Sequence, residues 1–166
     1  MDIEYRKARI EDALFILDIL NSVSGDTKDI KPEHFLVAED KKKIVGCIKI
    51  KNVGDCFMLA SLAVLPDYRK KGIGSALVSK IIKENPARPL YLFCNVKNEN
   101  FFKKSGFTKI ETENIPDSLK KDYNDLVERN FANNTKLLIV MILALPFLEK
   151  ILIITLESHM QLPKKK

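Results

Sequence analysis

The stretch Leu62-Ala63-Val64-Leu65-Pro66-Asp67-Tyr68-Arg69-Lys70-Lys71-Gly72-Ile73-Gly74-Ser75-Ala76-Leu77 joins an apolar run to an apolar helical pattern. The strand ends near Leu65, and a helix opens near Ile73. Between them Arg69, Lys70 and Lys71 supply three cations, and Gly72 and Gly74 remove two side chains. The first amides of a helix have no intrahelical acceptor and carry partial positive charge. Glycine lets an anion approach that backbone closely. A pyrophosphate is the group this chemistry suits best. Gly-rich turns also serve packing alone, so the type of loop has to be tested. A P-loop needs Gly-Lys-Ser/Thr, and here Ser75-Ala76 follows Gly74. A dinucleotide fingerprint wants a third glycine where Leu77 stands, and an acid after the next strand, which ends Phe93-Cys94-Asn95.

Working outward, Ala76, Leu77, Val78, Ile81 and Ile82 recur at helical spacing up to Asn85-Pro86. Leu90 to Cys94 reads as a short buried strand, Glu99 to Lys104 as a helix stopped at Gly106, and Phe107 to Ile110 as a strand. Pro116 to Arg129 is helical in pattern, and Lys136 to Leu145 is a last strand. On the other side, Ile3 to Ala8 is a strand, and a helix follows from Arg9 with Ala13, Leu14, Ile16, Leu17 and Leu20 in period. Asn21 to Pro32 is polar, with Gly25 and a terminal Pro, and reads as a loop or a short helix. Phe35 to Glu39, Ile44 to Val53 and Phe57 to Leu65 read as a meander with turns at Asp40–Lys43 and Gly54-Asp55. The sum is an α/β chain of the α+β kind: a mixed, mostly antiparallel central sheet with one parallel pair beside the glycine loop, flanked by helices.

The chain has 166 residues, enough for one domain with a core, and a formal charge of +6 from 28 basic and 22 acidic residues. That excess suits an anionic ligand but is too diffuse for a nucleic-acid surface, and no aromatic ribonucleoprotein motif is present. Cys47, Cys56 and Cys94 stand singly, which suits reduced thiols and a cytoplasmic setting. No Cys/His cluster has metal-ligand spacing. Leu137 to Leu156 is long enough for a membrane span, but Pro146 interrupts it and Glu149 and Lys150 lie inside it. Each such charge costs about 2.5–3.5 kcal/mol at a span centre. The segment therefore reads as a buried strand, a break at Pro146 and an apolar helix. Residues 1–145 form the domain, and 146–166 a helix with a basic tail that covers the sheet or meets a partner in a homodimer.

Arg69-Lys70-Lys71-Gly72-Ile73-Gly74 resembles the Arg/Gln-x-x-Gly-x-Gly/Ala signature of the GNAT acetyltransferases. Asn95 to Phe107 resembles their second block, Asn-x-x-x-x-x-Phe-Tyr-x-x-x-Gly-Phe, and Tyr5 to Asp12 resembles their opening strand and helix start. A finer likeness, in Gly106-Phe107-Thr108, Ile115-Pro116-Asp117-Ser118 and Lys121-Asp122-Tyr123, is to the catalytic domain of N-acetylglutamate synthases and related amino-acid N-acetyltransferases.

The resemblance implies acetyl transfer from acetyl-CoA to the primary amine of a small molecule, with an amino acid such as glutamate one acceptor. It implies that the backbone of Leu62, Ala63 and Val64 meets the pantetheine arm, and that the Val64 amide polarises the thioester carbonyl. Arg69, Lys70, Lys71, Gly72, Ile73, Gly74 and Ser75 would hold the pyrophosphate, and Asn95 and Phe102 would flank the cofactor. Ser61 falls where relatives often carry a carboxylate. Glu39 and Asp55 are the candidate bases if they face the cleft. Cys94 reads as core. Phe102 stands where many members have the tyrosine that protonates the leaving thiolate, so a CoA-binding module with little turnover is the alternative reading.

Overall fold

The computed structural model describes residues 2–23, 25–28, 30–86, 88–132 and 138–144. The expected helix 146–166 lies outside the described residues. Strands β1 (Ile3–Lys7), β2 (Phe35–Asp40), β3 (Lys43–Val53), β4 (Cys56–Val64), β5 (Leu90–Asn95), β6 (Thr108–Ile110) and β7 (Leu138–Leu143) form a seven-stranded sheet in the order β1-β2-β3-β4-β5-β7-β6. Every adjacent pair is antiparallel except β4 and β5, which run parallel. The strand–loop–helix–strand order around the glycine loop requires that pair, because a crossover helix returns the chain in the same direction. Helices α1 (Ala13–Ser22), α2 (Ile73–Glu84), α3 (Glu99–Lys103) and α4 (Asp117–Ala132) flank the sheet.

Side chains alternate along each strand, so the sheet buries two faces. On one, Ile73, Leu77, Val78 and Ile81 of α2 and Phe102 of α3 pack with Leu36, Val45, Ile48, Leu59 and Leu92. Leu77 is fully buried there, and truncating such a leucine costs about 2–5 kcal/mol. On the other face, Ile16, Ile19 and Leu20 of α1 cover Phe35, Val37, Cys47 and Ala63. Leu119 of α4 covers Met58, Tyr91 and Val140 beside it. Leu138 to Leu143, six residues of the span-length apolar segment, is thus a strand between β5 and β6. Among the described residues no helix is long and apolar enough to cross a membrane.

One irregularity positions the site. Cys47 pairs with Ala63 and Lys49 with Ala60, so Ser61 and Leu62 together face the single residue Ile48. This is a β-bulge, and Ser61 takes φ +53°. The parallel pairing of β4 with β5 stops at Leu59 and Leu92, level with the bulge. Beyond it β5 continues along β7 through Cys94 and Asn95. A bulge bends its strand, and a gap opens here between Ala60–Val64 and Phe93–Asn95.

Candidate active site

A cavity of about 770 Å³ fills that gap and passes through the sheet. On the α2 face it is lined by Leu62, Val64, Ile73, Gly74, Ser75 and Phe102, among others. On the α4 face its lining includes the loop at Gly25-Asp26 and Leu126.

The loop before α2 is built to present amides. Pro66–Tyr68 makes one turn of 3-10 helix. Tyr68 is fixed by donating its hydroxyl to Asp40 Oδ2 at 3.1 Å, and that bond raises the phenol's pKa. Lys70 and Gly72 then take φ of +59° and +81°. Gly72 is the N-cap, a left-handed position at which only glycine is unstrained, and it offers no side-chain cap. The first intrahelical bond runs from Ala76 N–H to Gly72 C=O at 3.0 Å. The amides of Ile73, Gly74 and Ser75 precede it in the first turn of α2, and all three residues line the cavity. A Cβ built on Gly74 would meet Phe101 at 3.5 Å, ordinary contact. Packing therefore does not require a glycine there, whereas a ligand approaching the amides does.

Val64 stands beside the glycine loop, its Cγ2 3.9 Å from a Cβ built on Gly74. Leu65 N–H donates to Val45 C=O at 2.9 Å. In an antiparallel ladder the preceding residue's amide points to the other side of the strand, so Val64 N–H points away from β3 toward the gap. Its carbonyl accepts from Arg69 Nε at 3.0 Å. Ser61 Oγ is buried and, among the described residues, has no hydrogen-bond partner. Such an orphan costs about 1–3 kcal/mol, and it lies in the cavity wall.

Of the residues expected at the site, Ser61, Leu62, Val64, Arg69, Lys70, Gly72, Ile73, Gly74, Ser75, Asn95 and Phe102 line one cavity. Ala63 does not; its side chain packs under α1. Lys71 does not either, its Nζ lying 5.3 Å over the Tyr68 ring. Asn95 spends its carbonyl oxygen on Lys97 N–H at 3.0 Å, capping the turn before α3. Phe102 is held edge-on between Phe101 and Phe107.

The candidate bases are placed elsewhere. Glu39 lies on β2, two strands from the gap, where Arg6 Nε donates to it at 2.8 Å. The same guanidinium binds Asp12 at 2.7 and 3.1 Å. Asp55 sits at the β3–β4 hairpin beside Ser118 and Cys56, which hold its carboxyl below its ordinary pKa. Neither lines the cavity. Cys94 does, but burial pushes its thiol up to about 11, which suits core rather than nucleophile. The carboxylate that does line the cavity is Asp26, which sequence reading missed. Only its place in the polar loop Asn21 to Pro32 hinted at it.

A profile of the GNAT acetyltransferase domain matches residues 31–109. An uncharacterised N-acetyltransferase of Chlorobaculum tepidum is 31% identical over 137 residues, covering 75% of this chain and 87% of its own. The amino-acid acetyltransferase of Aeromonas salmonicida is 27% identical over 72% of this chain, which spans only 30% of that protein. Among solved structures, N-acetylglutamate synthase from Neisseria gonorrhoeae, complexed with coenzyme A and N-acetyl-glutamate, superposes with a TM-score of 0.70. It is 20% identical and covers 88% of this chain and 36% of its own. A GNAT acetyltransferase from Staphylococcus aureus gives 0.65 at 18% identity, over 87% of this chain and all of its own. The chain belongs to the GNAT family of acetyltransferases, enzymes whose co-substrate is acetyl-CoA.

Proposed function

We propose that the protein transfers the acetyl group of acetyl-CoA to the primary amine of a small molecule. The amino-acid acetyltransferases among its relatives put amino acids on the panel of acceptors to test. The carrying observation is the gap between β4 and β5, with the amides of Ile73 to Ser75 at one end and the Val64 amide aimed into it.

Acetyl-CoA supplies an activated acetyl group and a thiol leaving group. The first-turn amides of α2, with Arg69 and Lys70, suit its pyrophosphate. Val64 N–H is the donor for the carbonyl oxygen, where negative charge grows as an amine attacks. Ser61 Oγ is the free hydroxyl in the same wall, available to a group entering the gap. The attacking nitrogen gives up a proton, and the thiol takes one. Phe102 has none to give, so that proton comes from water or from Ser61. Holding two reactants in one narrow gap contributes to rate without a dedicated acid.

Phe102 also favours a second reading, acetyl-CoA binding without turnover. A thiol-release assay with a panel of primary amines separates the two. Release above the hydrolysis background supports transfer; tight acetyl-CoA binding with no release supports the module.

A further inference from the structure

The charged side chains lining the cavity, among the described residues, divide by sign and by face. Arg69 and Lys70 stand at the glycine-loop end, and Asp26 stands at the α4 end. The rest of the α4 end is mostly apolar, Met58, Ala60, Phe93, Leu126 and Leu138, with the side-chain amide of Asn95 on the same face opposite Leu138. Phe93 is fixed by an edge-on contact with Tyr123 of α4, centroids 5.5 Å apart.

Among the described residues, three cations near this end have carboxylate partners, and the buried Lys49 donates to Lys28 C=O at 3.4 Å and lies over the Phe35 ring. Arg129 Nη1 meets Asp26 Oδ1 at 3.3 Å, Lys28 Nζ meets Asp125 at 3.8 Å, and Lys51 Nζ meets Asp122. Asp26 Oδ1 also accepts from Lys28 N–H at 3.3 Å. Both bonds fall on Oδ1, and among the described residues none falls on Oδ2. An acidic acceptor side chain would enter an apolar chamber whose charged wall residue repels it. A polyamine would leave its further ammonium groups against leucine and phenylalanine. An ammonium on an apolar body meets Asp26 Oδ2 at one end and the apolar wall along its length.

We infer that the acceptor is a primary amine on an uncharged apolar body, an alkylamine, arylalkylamine or apolar amino-acid derivative, drawn in by Asp26 and seated against Met58, Phe93 and Leu126. This rests on the transfer reading above and narrows its substrate. Asp26 is here a positioning group for the incoming amine. Arg129 pairs with the same carboxylate through Oδ1 and competes with the amine for its charge.

The test measures thiol release with leucinamide and phenethylamine against glutamate and spermidine, for the full chain and two variants, with acetyl-CoA affinity from calorimetry. The inference expects kcat/KM at least tenfold higher for the first two amines. Asp26→Asn should raise their KM about tenfold, with acetyl-CoA affinity within twofold of the parent. Arg129→Gln breaks the same ion pair but keeps the carboxylate, so KM should stay level or fall. Glutamate or spermidine used as well as leucinamide overturns the inference, and so does an equal rise of KM in both variants, which would mark a structural role for the pair. Acetyl-CoA bound with no release from any amine overturns the transfer reading, and this inference with it.

Discussion

Arg69 Nε donates to the carbonyl of Val64 at 3.0 Å, tying the basic loop to the strand end whose amide faces the gap. In the proposed reading, one side chain thus stands at the anion site and braces the donor beside the thioester site. Arg69→Ala removes a charge-assisted bond, worth about 1.5 kcal/mol at this exposed position. Acetyl-CoA affinity should fall about tenfold, less at high salt because part of the loss is screened charge, and kcat should fall with it. Calorimetry at two ionic strengths and steady-state kinetics check this. A loss of affinity with kcat intact would confine Arg69 to the anion.

Ser61 is held in a left-handed conformation with its hydroxyl buried and unpaired. Both features cost stability, about 1 kcal/mol or more each. Ser61→Gly should therefore raise Tm by about 2–4 °C for a chain of this size while lowering kcat several-fold. A variant that is more stable and equally active would show that the hydroxyl has no part in transfer.

Arg6 joins Asp12 and Glu39 beneath the start of α1, with side chains only 5–16% exposed. Hydrogen bonding from Arg6 is the main reason the Asp12 carboxyl is lowered from its ordinary pKa, against the opposing effect of burial. A lowered carboxyl pKa stabilises the fold above the unfolded value, near 4, and that stability is lost as pH falls through the folded value. The parent should lose stability steeply below pH about 4, and Asp12→Asn should flatten that limb. Arg6→Met leaves two carboxylates without their cation and should cost about 3 kcal/mol at pH 7. Urea melts across pH measure both.

Burial pushes the Cys47 thiol up to about 12 and the Cys94 thiol up to about 11. At pH 8 fewer than about one in a thousand of either is thiolate, so iodoacetamide should label them at the rate of unfolding. Above the unfolded thiol pKa, near 8.5, the unfolded chain releases protons that the fold retains, and stability should decline with pH. Rapid native labelling of Cys94 would mean that the gap exposes it.

The order of elements was legible because each carries its own period. The alternation from Ile44 to Val53, the heptad-like spacing in α1 and α2, and the Gly-Phe stop after α3 all depend on near neighbours. The observed strands β2 to β5 begin and end within a residue or two of the expected ones. The glycine loop was legible for the same reason, since helix-capping chemistry is local. The bulge was not: Phe57 to Val64 contains no Gly or Pro, and nothing in the run signals that Ser61 turns left-handed. The partners of Glu39 were not legible either, because Arg6 reaches it across the β1–β2 pairing, 33 residues away in sequence. Asp26 needed a contact with Arg129 across 103 residues, a separation no periodicity reports. Local chemistry could therefore pick out the glycine loop, while the carboxylate at the other end of the cavity depended on the folded chain.

Gly74 tests the central claim most directly. Its Cβ position is free of protein conflict, and alanine is the better helix former by up to about 1 kcal/mol. Gly74→Ala should therefore fold with an unchanged or higher Tm, and Gly74→Asp should fold while placing a negative charge at the proposed pyrophosphate site. Calorimetric titration of folded Gly74→Asp with acetyl-CoA should show affinity lower by at least a hundredfold. Parent-like affinity in that variant would contradict the assignment of the loop, and with it the account of how this protein holds its co-substrate.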